Sequence, residues 1–135
     1  MSQYDNLHTW REIHQQPATW LDTAERVGTS RDELLALMDD AEFFILTGSG
    51  SSQYAGECVS PVLERELGRT VRVFGGGAIL LEDPAVFSRG SGLMISLARS
   101  GDSPESCGAV DLLLESAPDL RHLVITCNAN GRLAT

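Results

Sequence analysis

Apolar residues along this chain switch between runs, alternation and helical spacing, and those switches lay out its elements. Phe43-Phe44-Ile45-Leu46 is an unbroken apolar run. It predicts a strand over 43–47 buried on both faces, as in a parallel sheet covered by helices. Apolar positions then recur at helical spacing from Tyr54 to Leu67, predicting a helix over 52–67 that ends at Gly68. Residues 70–74 read as a second strand, in which Val71 and Val73 alternate with arginine positions as on a sheet edge. Gly75-Gly76-Gly77 releases the chain into a connection over 78–92, with a short helix expected around 79–82. Residues 93–98 predict a third strand and 99–103 a polar turn. Ser103 then caps a helix that has Pro104 at N1 and Glu105 at N2 and runs to about Ser116. Residues 123–126 predict a fourth strand, and 127–135 a turn entering a helix that does not develop.

Upstream, residues 1–8 are expected to be loose. Trp10, Ile13, Pro17, Trp20, Leu21 and Ala24 are spaced for helical segments, with the two tryptophans on one face and Pro17 opening a second segment or a kink. Ser30 and Glu33 make a capping box for a helix to about Asp40, expected to bury Leu34, Leu35, Leu37 and Met38. The order of strands and helices predicts an α/β fold with a parallel, doubly wound sheet over 42–135, preceded by a helical extension over 1–41.

Composition narrows the function. A chain of 135 residues, 42% hydrophobic and 21% charged, is one soluble domain. Its net charge of −9 argues against a nucleic-acid partner. No apolar run reaches a membrane span and the start has no signal-peptide core, so the expected location is cytoplasmic with no membrane partner. Cys58, Cys107 and Cys127 all sit in apolar-periodic segments and are expected to be buried thiols in a reducing compartment. No cysteine or histidine cluster suggests a metal. All 10 basic residues are arginine, which removes a P-loop lysine and any Schiff-base chemistry within this chain.

Two turns carry the candidate chemistry. Gly48-Ser49-Gly50-Ser51-Ser52 lies between the first strand and its helix, where backbone N–H groups, the helix dipole and serine hydroxyls can converge on an anion. A dinucleotide fingerprint would need a third glycine at position 53, which is Gln53, and an acid near the end of the second strand, where 70–75 offers none. The second turn, Arg99-Ser100-Gly101-Asp102-Ser103, occupies the equivalent place after the third strand. Gly101-Asp102-Ser103 is misplaced for a serine-hydrolase nucleophile, and no Asp-x-x-His follows. Ligands on doubly wound sheets gather at the carboxyl ends of strands, where both turns fall, so the pattern points to a phosphate monoester. His8, His14 and His122 are scattered, and Glu57 is the carboxylate placed nearest the first turn.

The two turns, 47–52 (Thr-Gly-Ser-Gly-Ser-Ser) and 97–106 (Leu-Ala-Arg-Ser-Gly-Asp-Ser-Pro-Glu-Ser), resemble those of the sugar isomerase (SIS) family of phosphosugar-binding domains. Residues 10–17 (Trp-Arg-Glu-Ile-His-Gln-Gln-Pro) and 125–128 (Ile-Thr-Cys-Asn) narrow the likeness. It becomes closest to the first half of tandem-SIS proteins of the galactosamine-6-phosphate deaminase and tagatose-6-phosphate ketose/aldose isomerase group; glucosamine-6-phosphate synthase has a similar isomerase half. The resemblance implies a flavodoxin-like three-layer α/β/α sandwich that binds a hexose or amino-hexose 6-phosphate. Matching positions imply phosphate contacts from Ser52, Ser100 and Ser103, with Gly50, Ser51 and Arg99 shaping the pocket. Ala98 stands where some relatives carry a hydroxyl residue, which removes one candidate contact.

The resemblance also implies no metal or organic cofactor, a homo-oligomer such as a dimer, and a role in amino-sugar and carbohydrate metabolism. Its domains have five parallel strands, whereas four are placed here, so the domain is expected to stop before the fifth. The catalytic base of such isomerases comes from a second domain, so no catalytic residue is assigned within this chain. The chain is then expected to be a piece of a two-domain enzyme of roughly 350–400 residues, or the product of a truncated gene. The competing expectation is a non-catalytic sugar-phosphate sensor or an assembly domain.

Overall fold

The computed structural model describes residues 4, 6–87 and 90–135. The chain divides into two units, Met1–Leu37 and Met38–Thr135. The loose start expected over 1–8 and the connection expected over 78–92 fall partly on residues 1–3, 5, 88 and 89, outside the described residues.

The first unit is dominated by α1, His8–Thr29, a single helix that runs through Pro17 rather than restarting there. Proline removes one helical hydrogen bond. Gln15, Gln16 and Ala18 beside it are good helix formers, and the helix continues across it. The tryptophans do not form one packed face. Trp10 stacks near Tyr4 and His14, at ring separations of 5.4 and 4.1 Å, while Trp20 is 66% exposed. The following helix, α2 (Arg31–Asp39), buries none of its residues. The expected burial of Leu34, Leu35, Leu37 and Met38 is therefore not realised: Leu35 is exposed and the others are half-buried. A helix stripe needs an opposing layer to be buried, and no strand forms in this unit among the described residues.

The second unit is a three-layer sandwich. Its elements are β1 (Phe43–Gly48), α3 (Ser51–Leu67), β2 (Thr70–Gly75), α4 (Gly76–Ile79), a 3-10 turn (Pro84–Val86), β3 (Gly92–Ala98), α5 (Pro104–Ser116), β4 (Leu120–Thr126) and a last 3-10 turn (Arg132–Ala134). The strands are all parallel, in the order β2-β1-β3-β4, so β1 and β3 are central and β2 lies at an edge. Residue parity separates the two faces. Gly56 of α3 sits against Leu46 and Val73, and Ile45, Met94 and Leu120 point the other way into a core with Ile79, Phe87, Ala109, Leu113 and Ala117. Helices thus cover both faces of β1, which is why its apolar run has no polar interruption: Phe44, Ile45 and Leu46 are 1–2% exposed.

Three expectations need correction. The short helix after the glycines begins at Gly76 itself and ends at Ile79, rather than spanning 79–82. Ile79 is fully buried and anchors that turn in the core. Strand β4 starts at Leu120, three residues earlier than the pattern suggests, because the polar pair Arg121-His122 hides the alternation on a strand that pairs along one side. Of the cysteines only Cys107 is buried; Cys58 and Cys127 are exposed free thiols. Cys58 shares the outer face of α3 with Tyr54 and Val62, at spacings of four, and Cys127 lies just past β4.

Two outcomes follow. A thiol-specific chromogenic reagent will modify two of the three cysteines in the native protein and the third only after denaturation. His122 faces the α5 side of β4 in register with Met94, both its ring nitrogens are buried without a protein partner, and burial lowers its pKa below 6.5. As pH falls through about 6.5 the unfolded chain takes up this proton before the folded one, so stability present above that pH is lost on acidification. A series of melting temperatures from pH 7.5 to 5 should fall less steeply in His122→Leu than in the native protein.

Candidate phosphate-binding site

Parallel pairing of β1 with β3 places Thr47 beside Ser96, so the two strands release their chains at the same level of the sheet. After β1 the chain turns through Ser49 and Gly50 (φ 57°) into α3; after β3 it turns through 99–103 into α5. A cavity of about 210 Å³ lies between these turns, lined by six serines (49, 51, 52, 100, 103 and 106) with Leu97, Ala98 and Arg99. The lining holds one cation, Arg99, and no carboxylate or imidazole.

The hydroxyls are held in different ways. Ser49 and Ser106 share a hydrogen bond of 3.1 Å that ties the first turn to the first turn of α5. Ser100 accepts one from the Asp102 N–H at 3.3 Å. Ser103 occupies the N-cap of α5, yet its side chain makes no capping hydrogen bond. The structure thus departs from the simple capping role, and its hydroxyl lines the cavity instead. Pro104 has no N–H to offer, so Glu105 and Ser106 supply the backbone donors at this helix start that lack an intrahelical acceptor. Backbone N–H groups at helix starts and serine hydroxyls that can donate, with Arg99 among the lining residues, suit an anion.

Gly48 keeps the two turns together. A Cβ there would lie 2.7 Å from the Ser52 Cβ and 2.9 Å from the Leu97 carbonyl oxygen, so no side chain fits. Beside this cavity, across Ser49, is a second of about 310 Å³ bounded by Gly48, Gly50, Gln53, the 75–78 stretch and Glu105.

Of the six residues singled out from sequence, Ser51, Ser52, Arg99, Ser100 and Ser103 line the first cavity, and Gly50 lines the adjoining one. Sequence reasoning did not single out Ser49 and Ser106. The available signal was positional: Ser49 continues the parity of Thr47 toward the α5 face, and Ser106 is the third residue of that helix. Glu57 accepts a hydrogen bond from Gln53 at 2.9 Å on the exposed surface and lines neither cavity. Among the described residues no group of three metal-ligating side chains comes together, and no helix is long and apolar enough to cross a membrane.

No protein-family model matches the chain. Individual relatives do. The AgaS protein of Streptomyces coelicolor, named as a D-galactosamine-6-phosphate deaminase, is 42% identical over 95% of this chain and 35% of its own length. The D-galactosamine-6-phosphate deaminase AgaS of a Shewanella species is 33% identical over 99% of this chain and 37% of its own. Among solved structures, the tagatose-6-phosphate ketose/aldose isomerase of Escherichia coli superposes with a TM-score of 0.86 at 30% identity, covering 99% of this chain and 38% of that one. The chain therefore spans about a third of the length of the curated relatives it matches. The resemblance to the sugar isomerase family drawn from the two serine turns holds, and with it the three-layer α/β/α fold.

Substituting Gly48 by alanine should push Ser52 away from the second turn. Gly48→Ala should melt roughly 4–8 °C below the native protein, since overpacking at a closed site costs about 1 kcal/mol or more.

Proposed function

We propose that this chain binds a hexose or amino-hexose 6-phosphate through its phosphate, as the phosphate-anchoring portion of a sugar-phosphate isomerase or amino-sugar-6-phosphate deaminase. The single observation that carries this reading is the cavity at the carboxyl ends of β1 and β3, with six serines and Arg99 in its lining. Three of those serines, Ser52, Ser100 and Ser103, are the proposed direct phosphate ligands, with Ser51 and Arg99 beside them and Gly50 shaping the turn. The named activities of the relatives support a sugar phosphate over other phosphate esters. A cytoplasmic homo-oligomer belongs to the same proposal and follows from the likeness to sugar-phosphate enzymes.

The chemistry assigned to such a protein is ring opening followed by proton transfer between C1 and C2 through an enediol or enolamine, with loss of ammonia in a deaminase. That step needs a base at the reacting carbon. The lining offers no carboxylate or imidazole for it. The contribution proposed here is binding energy: holding the phosphate fixes the reacting carbons relative to groups supplied from elsewhere in a longer protein.

Calorimetric titration tests this directly. Galactosamine 6-phosphate should bind and galactosamine should not. Ser100→Ala and Ser103→Ala should each weaken binding by at least about tenfold, the loss of one hydrogen bond to a charged group. Binding should strengthen as pH rises through about 6, where the phosphate monoester takes its second charge. Native protein that binds none of a panel of hexose 6-phosphates would remove the reading.

A further inference from the structure

We propose that the end of β4 and the segment following it act as a brace that aims the backbone N–H groups of Ser100 and Gly101 toward the phosphate cavity, with Asn128 and Thr126 as its positioning residues. The inference rests on the phosphate reading above and concerns how the second turn is held.

Three successive carbonyls of that turn are taken up by the same segment. Thr126 Oγ1 donates to the Arg99 carbonyl at 3.4 Å, Asn128 Nδ2 to that of Ser100 at 2.9 Å, and the Leu133 N–H to that of Gly101 at 3.0 Å. The Arg132 N–H adds a bond of 2.9 Å to the Asp102 carboxylate. Close approach makes this possible, since a side chain at Gly131 would run into the Ser100 carbonyl oxygen. In an extended chain successive carbonyls alternate in direction; Gly101, at φ +74°, lets neighbouring peptides of this turn face the same way.

A trans peptide is planar, so the N–H of the next residue points opposite to each carbonyl, and the described chain contains no cis peptide. Carbonyls of Arg99 and Ser100 bound toward the β4 side therefore turn the N–H groups of Ser100 and Gly101 toward the β1 side. Strand β3 lies between β1 and β4 in the sheet, and the cavity lies between the turns of β1 and β3. The two N–H groups are thereby directed to the side on which the cavity lies, where Ser100 lines it and Gly101 is the buried residue next in the chain, as in the backbone concavities that hold anions.

Asn128→Asp removes the donor to Ser100. The aspartate keeps the Oδ1 that accepts the Asn130 N–H at 3.1 Å but sets a charged acceptor against the Ser100 carbonyl, so Asn128→Ala is titrated beside it to separate the lost donor from the added charge. The protein, labelled with nitrogen-15, is titrated with galactosamine 6-phosphate and, separately, with inorganic phosphate, while amide shifts and affinity are followed. In native protein the Ser51, Ser52, Ser100 and Gly101 amides should all shift. In Asn128→Asp affinity should fall by about threefold to tenfold, the worth of a net hydrogen bond. The Ser100 and Gly101 amide shifts should shrink while those of Ser51 and Ser52 persist, which a general loss of structure would not produce. Thr126→Val should move the same two amides, and the uncharged Asn128→Ala should reproduce the Asn128→Asp pattern. Native binding with unchanged affinity and amide shifts in these variants overturns the brace and leaves the phosphate reading standing. Native protein that binds neither compound overturns both.

Discussion

The structure depends on one constraint: β1 and β3 run parallel and in register, Phe43 beside Gly92 through Thr47 beside Ser96, at the centre of the sheet. Parallel neighbours in the same register must release their chains at the same edge and height. Because β2 and β4 lie outside them, the chains leave in opposite lateral directions, α3 to one face and α5 to the other. A crevice opens where those directions part. Six serines, an arginine and two helix starts meet there because the strand order requires their segments to meet. Sliding β3 by one residue would lift one turn above the other and turn every buried side chain of the strand to the wrong face, so the core that fixes the register also fixes the site.

A net charge of −9 would seem a poor setting for an anion, and distance resolves the conflict. Charges farther off than about 8–10 Å are largely screened at physiological salt. The donors around the cavity act in contact, where a hydrogen bond to a charged group contributes about 1.5–3 kcal/mol. A few such bonds outweigh a diffuse, screened repulsion. The acidic surface then works against polyanions, which would lay many phosphates along it, more than against one small phosphate held inside a turn.

The sheet and its two turns were legible in the sequence, because burial on both faces of β1 leaves an uninterrupted apolar run and because glycine and serine mark the turns that follow β1 and β3. What escaped were positions set by tertiary context. Pro17 signals a break that its strongly helical neighbours override. Leu35 has the spacing of a core residue, and spacing cannot say whether an opposing layer is present. Arg121 and His122 hide the first part of β4, since a strand paired along one side tolerates polar residues that a central strand does not. Cys58 repeats at spacings of four with Tyr54 and Val62, an apolar stripe that turns out to face outward. Of the residues named from sequence, Ser51, Ser52, Arg99, Ser100 and Ser103 line one cavity and Gly50 the one beside it. Ser49 and Ser106 were passed over because their partnership spans 57 residues of chain and needs the fold to be seen.

Where the local rules fail is itself informative, because side chains at binding sites are often held away from their ordinary local roles. A serine before Pro-Glu at a helix start should cap that helix, a role worth about 1 kcal/mol. Ser103 holds the position and leaves the bond unmade. Its neighbours show the opposite behaviour, since the Arg99, Ser100 and Gly101 carbonyls are bound one after another from the β4 side. Underused hydroxyls facing inward and fully committed carbonyls facing outward are two aspects of one arrangement. The turn is tied on the side away from the cavity so that its donors stay available on the side facing it.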